Sequence, residues 1–342
     1  MEVFNIKALT GSSNIYIDER LQNIDQYLPD VKTIIITDKN VKRYYSGIFP
    51  DFPIITISMG ESIKTLATVE SIYRQLIELK ADRQTFILAI GGGIVCDIAG
   101  FAASTFQRGL RFGFVSTSLL SQVDASVGGK NGVNFDSFKN MVGVFMQPEF
   151  VICDIKLLDT LPKEEIANGF AEIVKHALIE DYTMFEFIEQ NKAKALSLDT
   201  KVITQLVKDS IRIKSSIVEK DEKEAGQRRK LNFGHTVGHA IEKIIQPGHG
   251  NAVSLGMVAA AAFSHRKGYI TRNDQKRITN LLYDLNLPVS HNLDIKDIVD
   301  ALKVDKKRDG DSIYFIFLSS IGQSLIEKIS FTEITQFFFS QA

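Results

Sequence analysis

Polar and apolar residues alternate over positions 2–9 and again over 14–18, with Gly11-Ser12-Ser13 between them. A period of two predicts a pair of strands, joined by a turn at that Gly-Ser-Ser. The pattern then changes to short unbroken apolar runs: Thr33 to Thr37, Pro53 to Ile57, Thr85 to Ile90, Arg111 to Ser116 and Phe150 to Asp154. Runs of this kind predict strands covered on both faces. Helical stretches separate them: one after Asp38, one opening at Gly60-Glu61-Ser62 and reaching about Lys80, one from Ile94 to about Phe106. Strands alternating with helices predict a parallel sheet with helices on both faces. Ligands of such sheets sit at the carboxyl ends of the strands. Asp38, the Gly91 to Gly93 run and Thr117 all fall there.

After Leu161-Pro162 the periodicity is helical almost throughout, from Lys163 to about Asn286, with one later strand-like run at Ile313 to Leu318. The pattern therefore predicts an α/β N-terminal domain with a parallel Rossmann-like sheet over residues 1–156. A mainly α-helical C-terminal domain follows over 157–342. A length of 342 residues suits two domains. No repeat or low-complexity linker separates them, so they are expected to pack closely around a cleft.

Composition narrows the choice of partner. Apolar residues make up 44% and charged residues 24%, ordinary for a globular protein. The net charge of -1 gives no general field for nucleic acid or an anionic membrane, so neither is expected as a partner. Cys96 and Cys153 lie inside apolar runs and read as buried, reduced thiols of a cytoplasmic protein. MEVFNIKALT has no signal-peptide pattern, and the longest apolar run, near Ala252 to Phe263, is too short to span a bilayer.

Half of the six histidines, His235, His239 and His249, fall within LNFGHTVGHAIEKIIQPGHGNAVSLGM. His235 and His239 are one helical turn apart, and Pro247-Gly248 would end that helix and turn His249 back towards them. Three imidazoles brought together suggest a metal site with an open position, of the kind often completed by a carboxylate. Glu172 and His176, four apart in AEIVKHALIE, are each a candidate for a further ligand. A surface pairing of Glu172 with Lys175 is the competing reading, though that helix is apolar for an exposed face. The strand-to-helix turn GGGIVCD suits a pyrophosphate, since glycines admit its close approach and the helix N-terminus favours anions. It is not the G-x-G-x-x-G fingerprint. SVGGKNGVN places Lys130 in a glycine-rich loop, but Asp124 and Asn131 stand where a nucleotide P-loop needs Gly and Ser or Thr. Arg108, Lys139, Lys214 and Arg228 are candidates for a cationic wall around a phosphate or carboxylate.

Taken together these stretches resemble the 3-dehydroquinate synthases, lyases of the shikimate pathway to chorismate and the aromatic amino acids. The resemblance covers about residues 31–320. It is carried by GESIKT, GGGIVCDIAGF, QRG, STSLLSQVDASVGGKNGVN, KNMVGVF, DTLP, GFAEIVKHALI, RRKLNFGHTVGHAIE and HGNAVSLGM, in that order. It implies an NAD-binding N-terminal domain, a helical metal-binding C-terminal domain and an active site between them. By resemblance, zinc, or cobalt in its place, is held by Glu172, His235 and His249. His239 is then a polar residue beside the substrate, and His176 is no ligand. NAD contacts are implied for Asp38, Asn40, Glu61, Lys64, Gly92, Gly93, Asp97, Thr117, Ser118, Lys139 and Thr160, with Lys130 near both cofactor and substrate. Substrate contacts are implied for Arg108, Asp124, Lys130, Asn140, Lys175, Lys214, Arg228, Asn232 and His239, together with Lys306 or Lys307. Asn251, Cys96 and Ser118 depart from the family's usual residues, and none of them is a proposed metal ligand.

The implied substrate is a sugar phosphate, 3-deoxy-D-arabino-heptulosonate 7-phosphate, and the implied assembly is a homodimer. The implied reaction is transient oxidation by NAD, loss of phosphate, return of the hydride and ring closure to 3-dehydroquinate. Three rivals remain: another sugar-phosphate cyclase, a metal-dependent polyol dehydrogenase, and a non-catalytic NAD-binding protein.

Overall fold

The computed structural model describes residues 1–136, 138–303, 308–309 and 311–339. The chain divides into two compact units, Met1–Pro162 with Ile203–Glu222, and Lys163–Val202 with Lys223–Ala342.

The first unit opens with a hairpin of β1 (Glu2–Ala8) and β2 (Gly11–Ile17). Then come β3 (Thr33–Asp38), α1 (Lys39–Tyr45), β4 (Ile54–Ile57), α2 (Leu66–Glu78), β5 (Phe86–Gly91) and α3 (Gly93–Thr105). They are followed by β6 (Arg111–Ser116), β7 (Lys130–Phe135), β8 (Phe138–Phe145) and β9 (Phe150–Cys153). Seven of these strands form one sheet in the order β1-β2-β9-β6-β5-β3-β4. All its pairings are parallel except β1 with β2. The central strands β3 and β5 are buried nearly throughout, as their unbroken apolar runs require. Ile35, Leu88, Ile90, Val115 and Ile152 pack with Leu21, Ile24, Phe86, Phe150 and Leu157 in one core. After β3 the chain steps out to β4 and returns on the other side to β5, so a topological switch point lies between β3 and β5. Asp38 and Gly91-Gly92-Gly93 end those two strands.

The second unit contains α4 (Lys163–Glu180) and α5 (Tyr182–Leu196). The next helix, α6 (Thr200–Lys220), runs into the first unit from Ile203 onward. The second unit continues with α7 (His235–Ile245), α8 (His249–Arg266), α9 (Arg272–Asp284) and α10 (Ile295–Lys303). A small antiparallel sheet of β10 (Arg308–Asp309), β11 (Ser312–Ser320) and β12 (Gln323–Ser330) precedes α11 (Phe331–Phe339). The middle of α8 is buried from Ala252 to Met257, and Phe263 near its end stacks on Phe337 of α11 at 4.2 Å between ring centroids.

Several boundaries differ from those read off the chain. Gly11-Ser12-Ser13 is not the hairpin turn: Gly11 pairs with Ala8, so Leu9-Thr10 is the tip and the three residues belong to β2. The helix expected from Gly60 begins at Leu66, capped by the Thr65 hydroxyl. Gly60 instead stands at φ +85°, in a tight turn ahead of it. Lys130 is not in a loose loop, because it starts β7, which pairs with β8 as a separate ribbon. β12 carries no strand-like run of its own and is defined by its pairing with β11. Cys96 and Cys153 are buried and unbridged. No helix among the described residues is long and apolar enough to cross a membrane.

The β7–β8 ribbon rests on α3 through Gly100. A Cβ there would stand 2.0 Å from Asn131 Oδ1 and 3.0 Å from Phe114 Cζ. Asn131 is buried and donates to Met146 O at 2.8 Å and Gly129 O at 3.1 Å. Gly100→Ala should therefore overpack this contact and lower stability by about 1–3 kcal/mol, read as a shifted urea midpoint at constant slope.

Candidate functional site

Glu172 lies on α4 and is fully buried. A lone carboxylate there would be costly, and it is compensated. Its Oε2 pairs with Lys175 Nζ, one turn along the same helix and itself 2% exposed. The pairing weighed as a surface contact is thus a core one. Oε1 faces away from the lysine and meets His249 Nε2 at 3.2 Å and His235 Nε2 at 3.5 Å. These ligand atoms lie within 4.8 Å of one another.

The histidines arrive there because their helices touch backbone to backbone. A Cβ on Gly256 would stand 1.8 Å from Gly234 O, and one on Gly238 would stand 2.8 Å from Ala252 O. Those contacts press α7 against α8. A Cβ on Gly250 would stand 2.4 Å from Asn168 Cα, and Gly250 N–H donates to Asn168 Oδ1 at 3.0 Å, which seats the start of α8 on α4. Gly248, at φ +92°, makes the turn that lets α8 begin at His249. Asn251, one of the departures from the family pattern, donates to Pro247 O at 2.9 Å and closes this turn.

A metal ion fits this donor set. His235 Nδ1 lies 3.2 Å from Phe233 O. Donation of that N–H to the carbonyl leaves Nε2 with a lone pair aimed at an anionic oxygen. Two acceptors facing each other call for a cation between them, and a backbone carbonyl behind the imidazole is the usual outer support of a metal ligand. Burial works against a charge on His249, but its hydrogen bond to Glu172, with the charges of Glu172 and Glu242, outweighs this and raises it above the ordinary imidazole range. His239 stands outside this ligand group, its ring edge-on to His235 at 5.3 Å between centroids. His176 is fully buried and is not in the group with the two histidines.

Beside the cluster lies the short turn Gln227–Asn232. Arg228 is 2% exposed, whereas the Arg229 guanidinium stacks on Tyr314 at 3.9 Å and Lys230 reaches Glu180 at 3.6 Å. Asn232 donates to Glu224, a residue the sequence reading passed over. Glu224 stands at φ +61°, a conformation that nothing in the run DEKEAG announces.

The first unit gathers a second set. Lys214 of α6 is 6% exposed and reaches Asp124 Oδ1 at 2.7 Å and Asp124 O at 2.6 Å. Lys64 is buried and pairs with Asp97 and with Asn140 Oδ1, the latter at 2.6 Å. Burial raises the Asp97 carboxyl, and Lys64 only partly offsets it. Asn134 joins this group, donating to Glu61 Oε1 at 2.8 Å and accepting Asn140 N–H at 2.9 Å. Asp38 caps α1, accepting from Asn40 N–H at 2.7 Å and Val41 N–H at 2.9 Å. Thr160 meets the Tyr45 hydroxyl at 2.8 Å. Thr117 N–H donates to Gly91 O at 3.0 Å, and the Ser118 hydroxyl lies 3.1 Å from that of Ser121. Arg108, Lys130 and Lys139 are exposed. Lys306 and Lys307 lie outside the described residues.

A dinucleotide fits the turn after β5. Gly92 heads α3 with no side-chain cap on the helix, leaving first-turn N–H groups for an anion. A Cβ there would meet Ser118 Oγ at 3.2 Å, on the side where Thr117 and Ser118 leave β6.

The cluster makes a direct prediction about metal content. Glu172→Gln, His235→Ala and His249→Ala should each lose most bound zinc, while His239→Ala keeps it, as measured by elemental analysis after gel filtration. Retention by the His235 variant with loss from the His239 variant would reverse the assignment.

Comparisons with known proteins show the family. Residues 54–168 match the 3-dehydroquinate synthase N-terminal family and residues 169–308 the 3-dehydroquinate synthase C-terminal family. The 3-dehydroquinate synthase of Acetivibrio thermocellus is 39% identical over 327 residues, 91% of each chain. That of Hydrogenovibrio crunogenus is 40% identical over 326 residues, 94% of this chain and 85% of its own. Among solved structures, a 2-epi-5-epi-valiolone synthase from Streptomyces hygroscopicus subsp. jinggangensis, with NAD+ and Zn2+ bound, is 25% identical. It superposes with a TM-score of 0.88 over 98% of this chain and 99% of its own. A 2-deoxy-scyllo-inosose synthase complexed with carbaglucose-6-phosphate, NAD+ and Co2+ is 28% identical, with a TM-score of 0.85 over 98% and 99%. A probable glycerol dehydrogenase from Sinorhizobium meliloti shares the fold, at 14% identity and a TM-score of 0.67 over 98% of each chain. The chain belongs to the 3-dehydroquinate synthase family.

Proposed function

We propose that this chain converts 3-deoxy-D-arabino-heptulosonate 7-phosphate to 3-dehydroquinate and phosphate, using NAD and a divalent ion, zinc or cobalt. The observation that carries the reading is the match to 3-dehydroquinate synthases along nine-tenths of the chain, with Glu172, His235 and His249 converging as one ligand group. When bound, NAD supplies a reversible hydride acceptor and the metal ion polarises substrate oxygen as a Lewis acid.

The chain's own residues do the rest. Glu172, His235 and His249 would hold the metal, and Lys175 engages Oε2 of Glu172 so that Oε1 stays turned towards both imidazoles. Asp38, Asn40, Glu61, Lys64, Lys139, the Gly92-Gly93 turn, Asp97, Thr117, Ser118 and Thr160 would hold NAD. Lys130, Lys214, Arg228 and Arg108 are the cations for the substrate's phosphate and carboxylate, since charge-assisted bonds to planar or tetrahedral anions favour such groups. Asp124 orients Lys214, Asn140 is oriented through Lys64, and Asn232 and His239 offer polar contacts. The working assembly on this reading is a cytoplasmic homodimer, and light scattering after size exclusion tests the dimer.

Another sugar-phosphate cyclase is the nearest alternative, since the two structural neighbours with bound NAD+ and TM-scores of 0.85 or more are of that kind. The higher identity to 3-dehydroquinate synthases favours the carboxylated substrate.

Two measurements test the reading. With heptulosonate phosphate, NAD+ and zinc, one phosphate should be released per substrate with no net NADH. Arg228→Ala should lower kcat/KM by about a hundredfold or more with NAD affinity unchanged, as expected when a buried charge-assisted contact to substrate is lost. Net NADH without phosphate would point to a polyol dehydrogenase, and phosphate release from an uncarboxylated sugar phosphate instead would point to another cyclase. Separately, Gly92→Val should weaken NAD binding in a titration of the folded protein, because a branched side chain blocks the backbone's approach to the pyrophosphate.

A further inference from the structure

We propose that Glu222 is a positioning residue, a buried clamp that holds α6 and the Gly128-Gly129 turn together and so fixes Lys214 and Lys130 for the anionic substrate. The inference rests on the reaction assigned above, but its geometry lies wholly within the first unit.

Glu222 follows the end of α6 by two residues and is 4% exposed. A carboxylate so placed needs donors, and the tip of the β1–β2 hairpin provides them. Thr10 N–H donates to Oε2 at 3.2 Å and the Thr10 hydroxyl donates to Oε1. Gln147 Nε2 donates to the same Oε1 at 2.9 Å. Burial alone would raise this carboxyl, but the bonds from Thr10 and Gln147 outweigh it and hold it below the ordinary range, so Glu222 is charged. The hairpin also follows α6 outward from the tip, with Lys7 N–H on Glu219 Oε1 at 3.0 Å and Lys208 Nζ on Glu2 Oε2 at 2.8 Å. Those two contacts are exposed or half-exposed and contribute little. The Glu222 contact is the buried one.

Gln147 extends the clamp to the substrate lysines. Its amide lies against Gly129, where a Cβ would come within 2.5 Å of Nε2. Gly129 stands at φ +68° and accepts Met146 N–H at 2.8 Å. The next residue is Lys130. Back along the chain, the turn of π-helix Ser121–Ala125 carries Asp124, whose side chain and carbonyl both engage Lys214 Nζ. Lys214 is on α6, two turns before Glu222. A closed path therefore runs from Glu222 through Gln147 to Gly129, back along the chain to Asp124, then through Lys214 and α6 to Glu222. Opening it at Glu222 removes the buried anchor of the helix end and of the Gln147 amide that packs against Gly129. Neither Thr10 nor Glu222 is among the residues assigned to substrate or cofactor.

The test uses the full chain and three variants. Thr10→Val removes the hydroxyl and keeps the shape, Thr10→Ser keeps the hydroxyl, and Glu222→Gln removes the charge. Amine acylation of Lys214 is followed by peptide mass spectrometry without substrate, alongside kcat and KM for the heptulosonate phosphate, zinc content and NAD affinity. In Thr10→Val and Glu222→Gln, Lys214 should acylate several-fold faster, and kcat/KM should fall by about tenfold to a hundredfold, the scale of a misplacement remote from the chemistry. Zinc content and NAD affinity should hold, and Thr10→Ser should behave as wild type. Wild-type protection of Lys214 in the folded Glu222→Gln protein would overturn the clamp. Faster acylation with unchanged kcat and KM would overturn its link to substrate and leave a plain structural contact. A wild-type chain inert towards the heptulosonate phosphate would overturn the assigned reaction instead, while the acylation rates would still decide whether Glu222 holds Lys214.

Discussion

A side chain at Gly256 would stand 1.8 Å from the carbonyl oxygen of Gly234, and one at Gly250 would stand 2.4 Å from the Cα of Asn168. No methyl group fits at either place. α8 therefore lies against α7 and α4 with no side-chain layer between, at points next to His235 and His249. Three ligand atoms from three helices fall within 4.8 Å of one another as a result. The glycines give up helix propensity to achieve this, about 1 kcal/mol each relative to Ala. Packing across the helices offsets that cost, and it falls on the residues that bring the donors together.

The same arrangement explains why a carboxylate can sit at the centre of an apolar helix. Glu172 is fully buried among Ile173, Val174, Ala171 and their neighbours. One oxygen is satisfied by Lys175 and the other is aimed at two imidazoles. A buried charge pair by itself adds little to stability, since desolvation consumes most of the attraction. What it contributes here is direction. With Oε2 engaged by the lysine, Oε1 is left pointing at the histidine pair, where a cation would complete the balance of charge.

The first unit obeys a different constraint. Its central strands β3 and β5 are buried on both faces, so their polar chemistry is confined to their ends. Asp38, the Gly91 to Gly93 turn and Thr117 occupy adjacent strand ends because β3, β5 and β6 are neighbours in the sheet. The ribbon β7–β8 then adds Lys130, Lys139 and Asn140 from outside that sheet, held to α3 through Gly100 and to the loop before α2 through Asn134. Charged groups in this unit are tied in pairs, Lys64 with Asp97 and Lys214 with Asp124, so each is oriented before any ligand arrives.

Local sequence was enough for the parts whose signal is local. Unbroken apolar runs marked β3, β4, β5, β6 and β9, since a strand covered on both faces has no polar side to show. Pro247-Gly248 marked the break between α7 and α8, because a proline and a glycine at positive φ do not continue a helix. Ordered motifs spread along the chain disclosed the family, which spacing alone did not. Spacing put His239 on an equal footing with His235, and Glu172 with His176, because i and i+4 share a helix face whether or not a third helix faces them. The choice between them belongs to tertiary structure, where α4, α7 and α8 meet at glycines and bring Glu172, His235 and His249 within 4.8 Å of one another. The β7–β8 ribbon, β12 and the hairpin tip at Leu9-Thr10 were hidden for the same reason: strand pairing is a contact between segments, and one segment does not carry it. Glu222 and Glu224 lie in a run of mixed charge, EKDEKE, that singles out neither. Their partners, Thr10 and Gln147 for one and Asn232 for the other, become visible only once the chain has folded back on itself.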